Sequence, residues 1–340
     1  MDLFPVLGID IGGTKVALCL ATSDGTILGK SRVDNVDRDA KEVLPQIVTE
    51  AKALLKQNEL TTDDLKAIGI CSPAPHDLEN GVILTPFNMP GWRNVPIRDF
   101  LEKALETEAF MENDANAGAL AEWFFGIGKK CKNLLYLTMS TGVGGGVILN
   151  GHLVQGTNHN AGEVGHMVLD IAEDAPICSC GQRGCFEAFS GGRAIALRVQ
   201  EDIKQNYIST FIIDHADGDI DSIDMIAIEK AVKDQDKYAV KIWSEMSKRN
   251  AQGIGLLINA LNPEMVVLGT LAWAAGDLFM KPLMEHIEKY TWPQMRETCQ
   301  VVPSKLRREI GEYAGISVAL NFLYERGEFD PFTDSDFVDV

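Results

Sequence analysis

At 340 residues the chain can bury a large core, and two domains are the natural expectation. It is 46% hydrophobic and 24% charged, a composition that excludes wholesale disorder. A formal charge of −18 disfavours nucleic acid and anionic lipid as partners, so an anionic ligand would need a local site built from backbone N–H groups.

The start, MDLFPVLGIDIGG, lacks the basic and apolar regions of a signal peptide, and no apolar run approaches the roughly 20 residues of a membrane span. Residues 5–11 read as a buried strand, GGT as a turn, and 15–20 as the strand returning. TSDG predicts a second hairpin turn into 26–33. Val43, Ile47, Ala51 and Leu54 recur at helical spacing within 40–57. After a buried strand at 66–71 comes a long loop region rich in Pro, Gly and Asn, a length that inside a compact domain points to function. A helix suits 97–105 and a short strand 109–111. Asp114 then stands where an N-cap belongs, ahead of ANAGALAEWFF.

LLYLTM (134–139) predicts a strand, STGVGG a glycine turn, and GVILN the return, with Asn150-Gly151 turning into HLVQG. Beyond residue 190 the pattern is mostly helical, at about 191–206, 224–234 and 237–261. MVVLG (265–269) is a last buried strand, LAWAAGD a turn, and helices follow at about 277–290 and 311–326. The acidic tail, 328–340, is expected to be loosely ordered.

Strand, glycine turn and return strand thus occur twice, as GIDIGGTKVALCL and YLTMSTGVGGGVIL, the pattern of an internal duplication. Consecutive glycines allow positive φ and close approach of N–H groups to an anion, while Thr14 adds a hydroxyl, Lys15 a charge and Asp10 a carboxylate for a divalent cation. Either turn alone could be a plain hairpin; two suit a polyphosphate. Strands follow the glycines, so neither turn is a Walker A loop or a dinucleotide fingerprint. Asp114 reads as a simple N-cap or as a base for a substrate hydroxyl.

Seven cysteines, four of them scattered in apolar contexts, do not form a disulfide framework and favour a reducing cytoplasm. Three fall in CSCGQRGCFE (178–187). With His166 from AGEVGHM, Cys178, Cys180 and Cys185 make a Cys₃His set that suits a closed, structural zinc site. Buried or redox-active thiols are the competing reading. Glu187 lies two residues past the last cysteine, so a clamped knuckle would fix its direction.

LGIDIGGTK, FNMPGW, ENDANAGALAE, STGVGGG, AGEVGHM, CSCGQRGCFE and VVLG, in this order and spacing, resemble the ROK family (repressors, open reading frames, sugar kinases), and most closely its bacterial glucokinases. The resemblance runs from about residue 6 to about 325. It implies an α/β fold of two actin/hexokinase-like lobes, a ribonuclease H-like duplication with a central cleft. Residues 1–115 with about 310–327 would form the smaller lobe, and 116–309 the larger. It also implies ATP-dependent phosphorylation of a hexose, glucose first, at its 6-hydroxyl, with Mg²⁺ beside the nucleotide and a homodimer in the cytoplasm.

Carried over by position, Asp114 is the general base. Asn88, Asn113, Glu163, His166 and Glu187 hold sugar hydroxyls, His166 while also ligating zinc. Gly12, Gly13, Thr14, Lys15, Thr141, Gly142, Gly144 and Gly269 contact nucleotide or phosphate, and Asp10 the metal. Two motifs depart from the family pattern. Pro73-Ala74-Pro75 stands for Pro-Gly-Pro, and VLGT (267–270) for VLGG. Kinases for fructose or N-acetylhexosamines, and a non-catalytic sugar sensor, are the alternatives. A regulator would need a helix-turn-helix ahead of the first phosphate strand, which begins within six residues of Met1.

Overall fold

The computed structural model describes residues 3–86 and 89–332. In chain order the elements begin with β1 (Pro5–Ile11), β2 (Lys15–Thr22), β3 (Ile27–Asp34), α1 (Ala40–Gln57) and β4 (Ala67–Ser72). A small hairpin, β5 (His76–Asp77) and β6 (Val82–Ile83), precedes α2 (Ile97–Leu105), β7 (Ala109–Asn113) and α3 (Asp114–Phe124). Next come β8 (Leu134–Met139), β9 (Val143–Leu149) and β10 (His152–Leu153). The helical part holds α4 (Phe186–Ser190), α5 (Gly192–Asn206), α6 (Phe211–His215), α7 (Met225–Lys233) and α8 (Lys237–Leu261). Then follow β11 (Met265–Leu268), α9 (Thr270–Ala275), α10 (Asp277–Ile287), α11 (Pro293–Thr298), β12 (Gln300–Pro303) and α12 (Ile310–Glu325).

Two five-stranded sheets carry the same plan. The first has the order β3-β2-β1-β4-β7 and the second β10-β9-β8-β11-β12. β2 pairs antiparallel to β1, whereas β4 and β7 continue the first sheet in parallel; β11 and β12 likewise run parallel beyond β8. The duplication read from the two glycine turns is therefore a duplication of topology.

The chain divides into two compact units. One comprises Met1–Lys132, Gly146–His159 and Lys305–Val340; the other comprises Asn133–Gly145 and Asn160–Ser304. The boundary expected at 115 falls after Lys132 because α3 packs on α12 within the first unit. Buried side chains of β1, β2, β4 and α1 fill one face of the first sheet, among them Leu7, Ile9, Leu18, Val43, Ile47 and Ile70.

On α12, every residue from Ala314 to Leu320 is buried, which explains why it shows no apolar stripe. It lies against β1 and β4 at backbone contact distance. A Cβ on Gly69 would strike the Gly315 carbonyl and the Ala319 N–H, and one on Gly8 would strike the Ile316 nitrogen.

Several elements were not read from sequence: β5, β6, α4, α6, α11 and β12, and α9, which replaces the turn expected in LAWAAGD. The tail also differs. Phe329 and Phe332 are buried, with Phe329 edge-on to Phe4 at 5.7 Å and Phe332 stacked on Phe124 at 6.0 Å. The rest of the expected loose segment, 333–340, lies outside the described residues.

Gly69→Ala is expected to lower stability by about 3 kcal/mol, since the clash is with backbone that cannot rotate away. Urea unfolding of the variant beside wild type checks this; an unchanged midpoint would refute the helix–sheet contact.

Candidate functional site

In the first unit the DIGGTK turn joins β1 to β2. The Gly12 N–H donates to the Lys15 carbonyl at 3.0 Å. Neither Gly12 nor Gly13 has positive φ, so the glycines serve closeness and not handedness: a Cβ on Gly12 would sit 3.3 Å from the Lys15 carbonyl. Behind the turn stands Asn35, a residue the sequence reading passed over. Its Nδ2 donates to the Gly12 carbonyl at 2.7 Å and its backbone N–H to the Thr14 carbonyl at 3.0 Å. Trp92, fully buried, donates through Nε1 to Asn35 Oδ1 at 3.0 Å. Trp92 thus buttresses the glycine turn through Asn35.

Asp10, near the end of β1, accepts a bond from the Cys71 thiol at 3.3 Å. Burial pushes its carboxyl above the ordinary range, opposed by that bond and by the Lys15 charge. Cys71 is itself pushed well up, first by burial and then by Asp10.

Two strands along the same sheet, β7 ends in Asn113 and α3 begins. The register Asp10↔Cys71↔Glu112 puts Asp10 and the β7–α3 junction on neighbouring carboxyl ends of parallel strands, about 10 Å apart. The N-cap is Asn113, not the expected Asp114: Asn113 Oδ1 accepts from the Ala115 N–H at 2.8 Å and the Asn116 N–H at 3.4 Å. Asp114 is the first helical residue, and it is exposed.

The junction is held from inside by Glu112, also unforeseen. This buried carboxylate accepts from the Asn113 N–H at 2.8 Å, from Asn116 Nδ2 at 2.9 Å and from Gln155 Nε2 at 2.6 Å. Asn88, the remaining residue expected here, lies outside the described residues.

In the second unit four ligand atoms, from His166, Cys178, Cys180 and Cys185, lie within 4.8 Å of one another. Cys180 Sγ and Cys185 Sγ are 3.8 Å apart, and Cys178 Sγ is 3.7 Å from His166 Nδ1. A tetrahedron with metal–sulfur bonds of about 2.3 Å has edges of about 3.8 Å, so the set fits a tetrahedral ion.

The local chain explains the cluster. Gly181 (φ +88°) and Gly184 (φ +76°) turn the knuckle, and the Cys178 N–H donates to the Gln182 carbonyl at 2.7 Å. The thiols are unequal: the Gln182 backbone bond holds Cys180 below the ordinary range, while burial pushes Cys185 up to about 12. These residues can hold a metal ion, and all four positions of a tetrahedron would be filled by protein.

Glu187 ties the knuckle to the second glycine turn. Its Oε2 accepts from the Val143 N–H at 3.0 Å and its Oε1 from Ser179 Oγ at 2.8 Å. A Cβ on Gly142 would strike the same carboxylate. Glu163 Oε2 stands 3.8 Å from His166 Nε2. The Gly192 N–H donates to the Ser140 carbonyl at 2.8 Å and the Arg193 N–H to the Thr141 carbonyl at 3.1 Å, fixing the turn that holds Thr141, Gly142 and Gly144. Gly269 caps α9 at the end of β11, its N–H donating to the Leu137 carbonyl at 2.7 Å. The second unit thus brings Gly142, Glu163, His166 and Glu187 to one knuckle, with Thr141 and Gly144 in the adjoining turn.

Like-ordered sheets, each opening on a glycine turn, with a Cys₃His knuckle in one unit, define a duplicated α/β protein of the hexokinase-like class. The ROK family model matches residues 6–318, and the chain belongs to that family. A glucokinase of Thermotoga maritima is 33% identical over 96% of this chain and 99% of its own. Among solved structures, a ROK hexokinase from Thermus thermophilus has a TM-score of 0.80 at 30% identity, covering 95% of this chain and 100% of that one. A ROK glucokinase from Streptomyces griseus, in complex with glucose and AMPPNP, has a TM-score of 0.73 at 27% identity, covering 94% and 99%. Xylose repressors are also among its relatives, at lower identity.

Asn35→Ala should lower stability by about 2 kcal/mol, because it strands the Trp92 indole N–H and the Gly12 carbonyl. Thermal unfolding against wild type tests this, and an unshifted transition would exclude the buttress.

Proposed function

We propose that the chain is an ATP-dependent hexose kinase acting first on glucose, transferring the γ-phosphoryl group to the 6-hydroxyl. The observation that carries this is the junction of β7 and α3: an exposed Asp114 on a helix start fixed by the Asn113 cap and the buried Glu112, in the same sheet as the DIGGTK turn. Glucokinase relatives that align over almost their whole length support the same reading.

In this reading Asp114 accepts the proton of the sugar 6-hydroxyl as that oxygen attacks the terminal phosphorus in line. N–H groups of the 12–15 and 141–144 turns, other than the engaged ones of Gly12 and Val143, meet the phosphate oxygens, with Lys15 balancing phosphate charge and Asp10 that of Mg²⁺. Most of the rate comes from such placement, since phosphoryl transfer asks little covalent chemistry of the protein. Asn88, Asn113, Glu163, His166 and Glu187 hold the sugar hydroxyls. Gly269, at the end of β11, sits beside the nucleoside.

A structural zinc at His166, Cys178, Cys180 and Cys185 would hold the knuckle shut, so that His166 presents its other nitrogen and Glu187 keeps its direction. We place the enzyme in the cytoplasm, where cysteines outside disulfides are stable, and take it to work as a homodimer.

A coupled assay across glucose, mannose, fructose, N-acetylglucosamine and N-acetylmannosamine, with ATP and polyphosphate as donors, tests the assignment. Glucose with ATP should give the highest kcat/KM; absence of turnover on every pair would overturn it. Asp114→Asn should cut kcat by roughly 10²–10⁴ while glucose binding persists, and near-normal turnover would remove Asp114 from the base role. Metal analysis of protein purified without chelator should find one zinc per chain, and Cys185→Ser should lose it. A metal-free, fully active wild type would reject the zinc site.

A further inference from the structure

Within the second unit lies a cavity of about 390 Å³ that none of the proposed catalytic residues lines. Its cations are unexpected in a chain of charge −18: Arg198 from α5, and Lys248 and Arg249 from α8. Arg249 is already engaged. It pairs with Asp170, donates to Gln252 Oε1 at 3.0 Å and lies over the Phe189 ring at 4.3 Å. Arg198 and Lys248 make no ion pair among the described residues. Glu245 is the single carboxylate in the lining, and it is exposed, where water and salt screen it.

Arg198 also acts on Tyr238, which bonds Asp202 at 2.6 Å, but neither Arg198 nor Lys248 is tied up in an ion pair among the described residues, and two such cations against the lone Glu245 match a dianion better than a carboxylate monoanion. The fork of Arg198 can grip two oxygens of a planar or tetrahedral oxyanion, and Lys248 adds a mobile point charge. Tyr290 lines the same space and can donate through its hydroxyl. Phe189 and Tyr290 offer apolar faces, and the volume exceeds what a bare phosphate would fill. We propose that this cavity is a second anion site, separate from the sugar-phosphorylating one, that takes a small phosphate monoester with its phosphate on Arg198 and Lys248 and its carbon skeleton against Phe189 and Tyr290.

Calorimetric titration of the full chain tests this without turnover. Glucose 6-phosphate, glycerol 3-phosphate and inorganic phosphate are each added in saturating glucose and a non-hydrolysable ATP analogue. One ester should bind per chain, more tightly than inorganic phosphate and more weakly as salt rises. Arg198→Ala/Lys248→Ala should weaken it at least tenfold. The exposed Lys248→Glu should do the same if the double variant is unstable, and Glu245→Gln should tighten binding. Which ester binds tighter tells whether the source is the sugar phosphate or another phosphorylated metabolite. Equal affinity in the variants, no ester binding to wild type, or inorganic phosphate binding as well as the esters would overturn the proposal.

Discussion

The approach of α12 to β1 and β4 is the contact on which the first unit depends. Gly8, Gly69 and Gly315 let a helix backbone rest directly on two strand backbones, with no side chain between. Near their ends the two strands pair Asp10 of β1 with Cys71 of β4, whose thiol donates to the Asp10 carboxylate. Gly311, at the start of α12, lies where a Cβ would be 3.0 Å from Asp10 Oδ2. The helix therefore also sets the space around that acid. A larger residue at any of these glycines would move the sheet relative to the helix, and Asp10 with it.

Much of this architecture could be read from the chain. Hydrophobic periodicity located the long helices and central strands, and the paired glycine turns revealed the duplication, because those signals are local. The missed elements are short, or sit where local cues conflict. β12 (QVVP) ends in proline and pairs on one side only, with β11. α9 begins directly at Thr270, capped by Gly269 with no side-chain cap bond, so LAWAAGD carries no helix-start signal. Phe329 and Phe332 were hidden in an acidic context, and only the aromatic cluster around Trp123 and Phe124 reveals why they are buried.

At the site the division is different. Motifs pointed to the candidate residues themselves: Asp10, Asp114, Glu163, His166, Glu187 and the cysteines. What stayed invisible is the row behind them. Asn35 follows β3 with no motif around it, yet it joins two carbonyls of one glycine turn to the Trp92 indole. Glu112 precedes the Asn-Asp pair and looks like one more acidic residue in an acidic chain. Its three partners come from residues 113, 116 and 155, and no spacing rule predicts the last. Ser179, between two cysteines, reads as a spacer until its hydroxyl is found on Glu187.

These supports share a physical character. Each holds its neighbour by a hydrogen bond in which at least one partner is a backbone, amide or hydroxyl group, not by pairing with an opposite charge. That choice suits the phosphate-binding role proposed for the turns. An ion pair behind the turn would compete with a ligand for the same cation, whereas amide and hydroxyl partners leave the Lys15 charge to meet an anion. The same logic separates the two glycine turns in kind. The first is braced by an amide, Asn35, and the second by a carboxylate, Glu187, which already occupies the Val143 N–H. An anion approaching the second turn meets the Glu187 carboxylate, so its binding there depends on where the Ser179 bond and the knuckle hold that group. The knuckle thereby governs the electrostatics of the second turn as well as the position of Glu187.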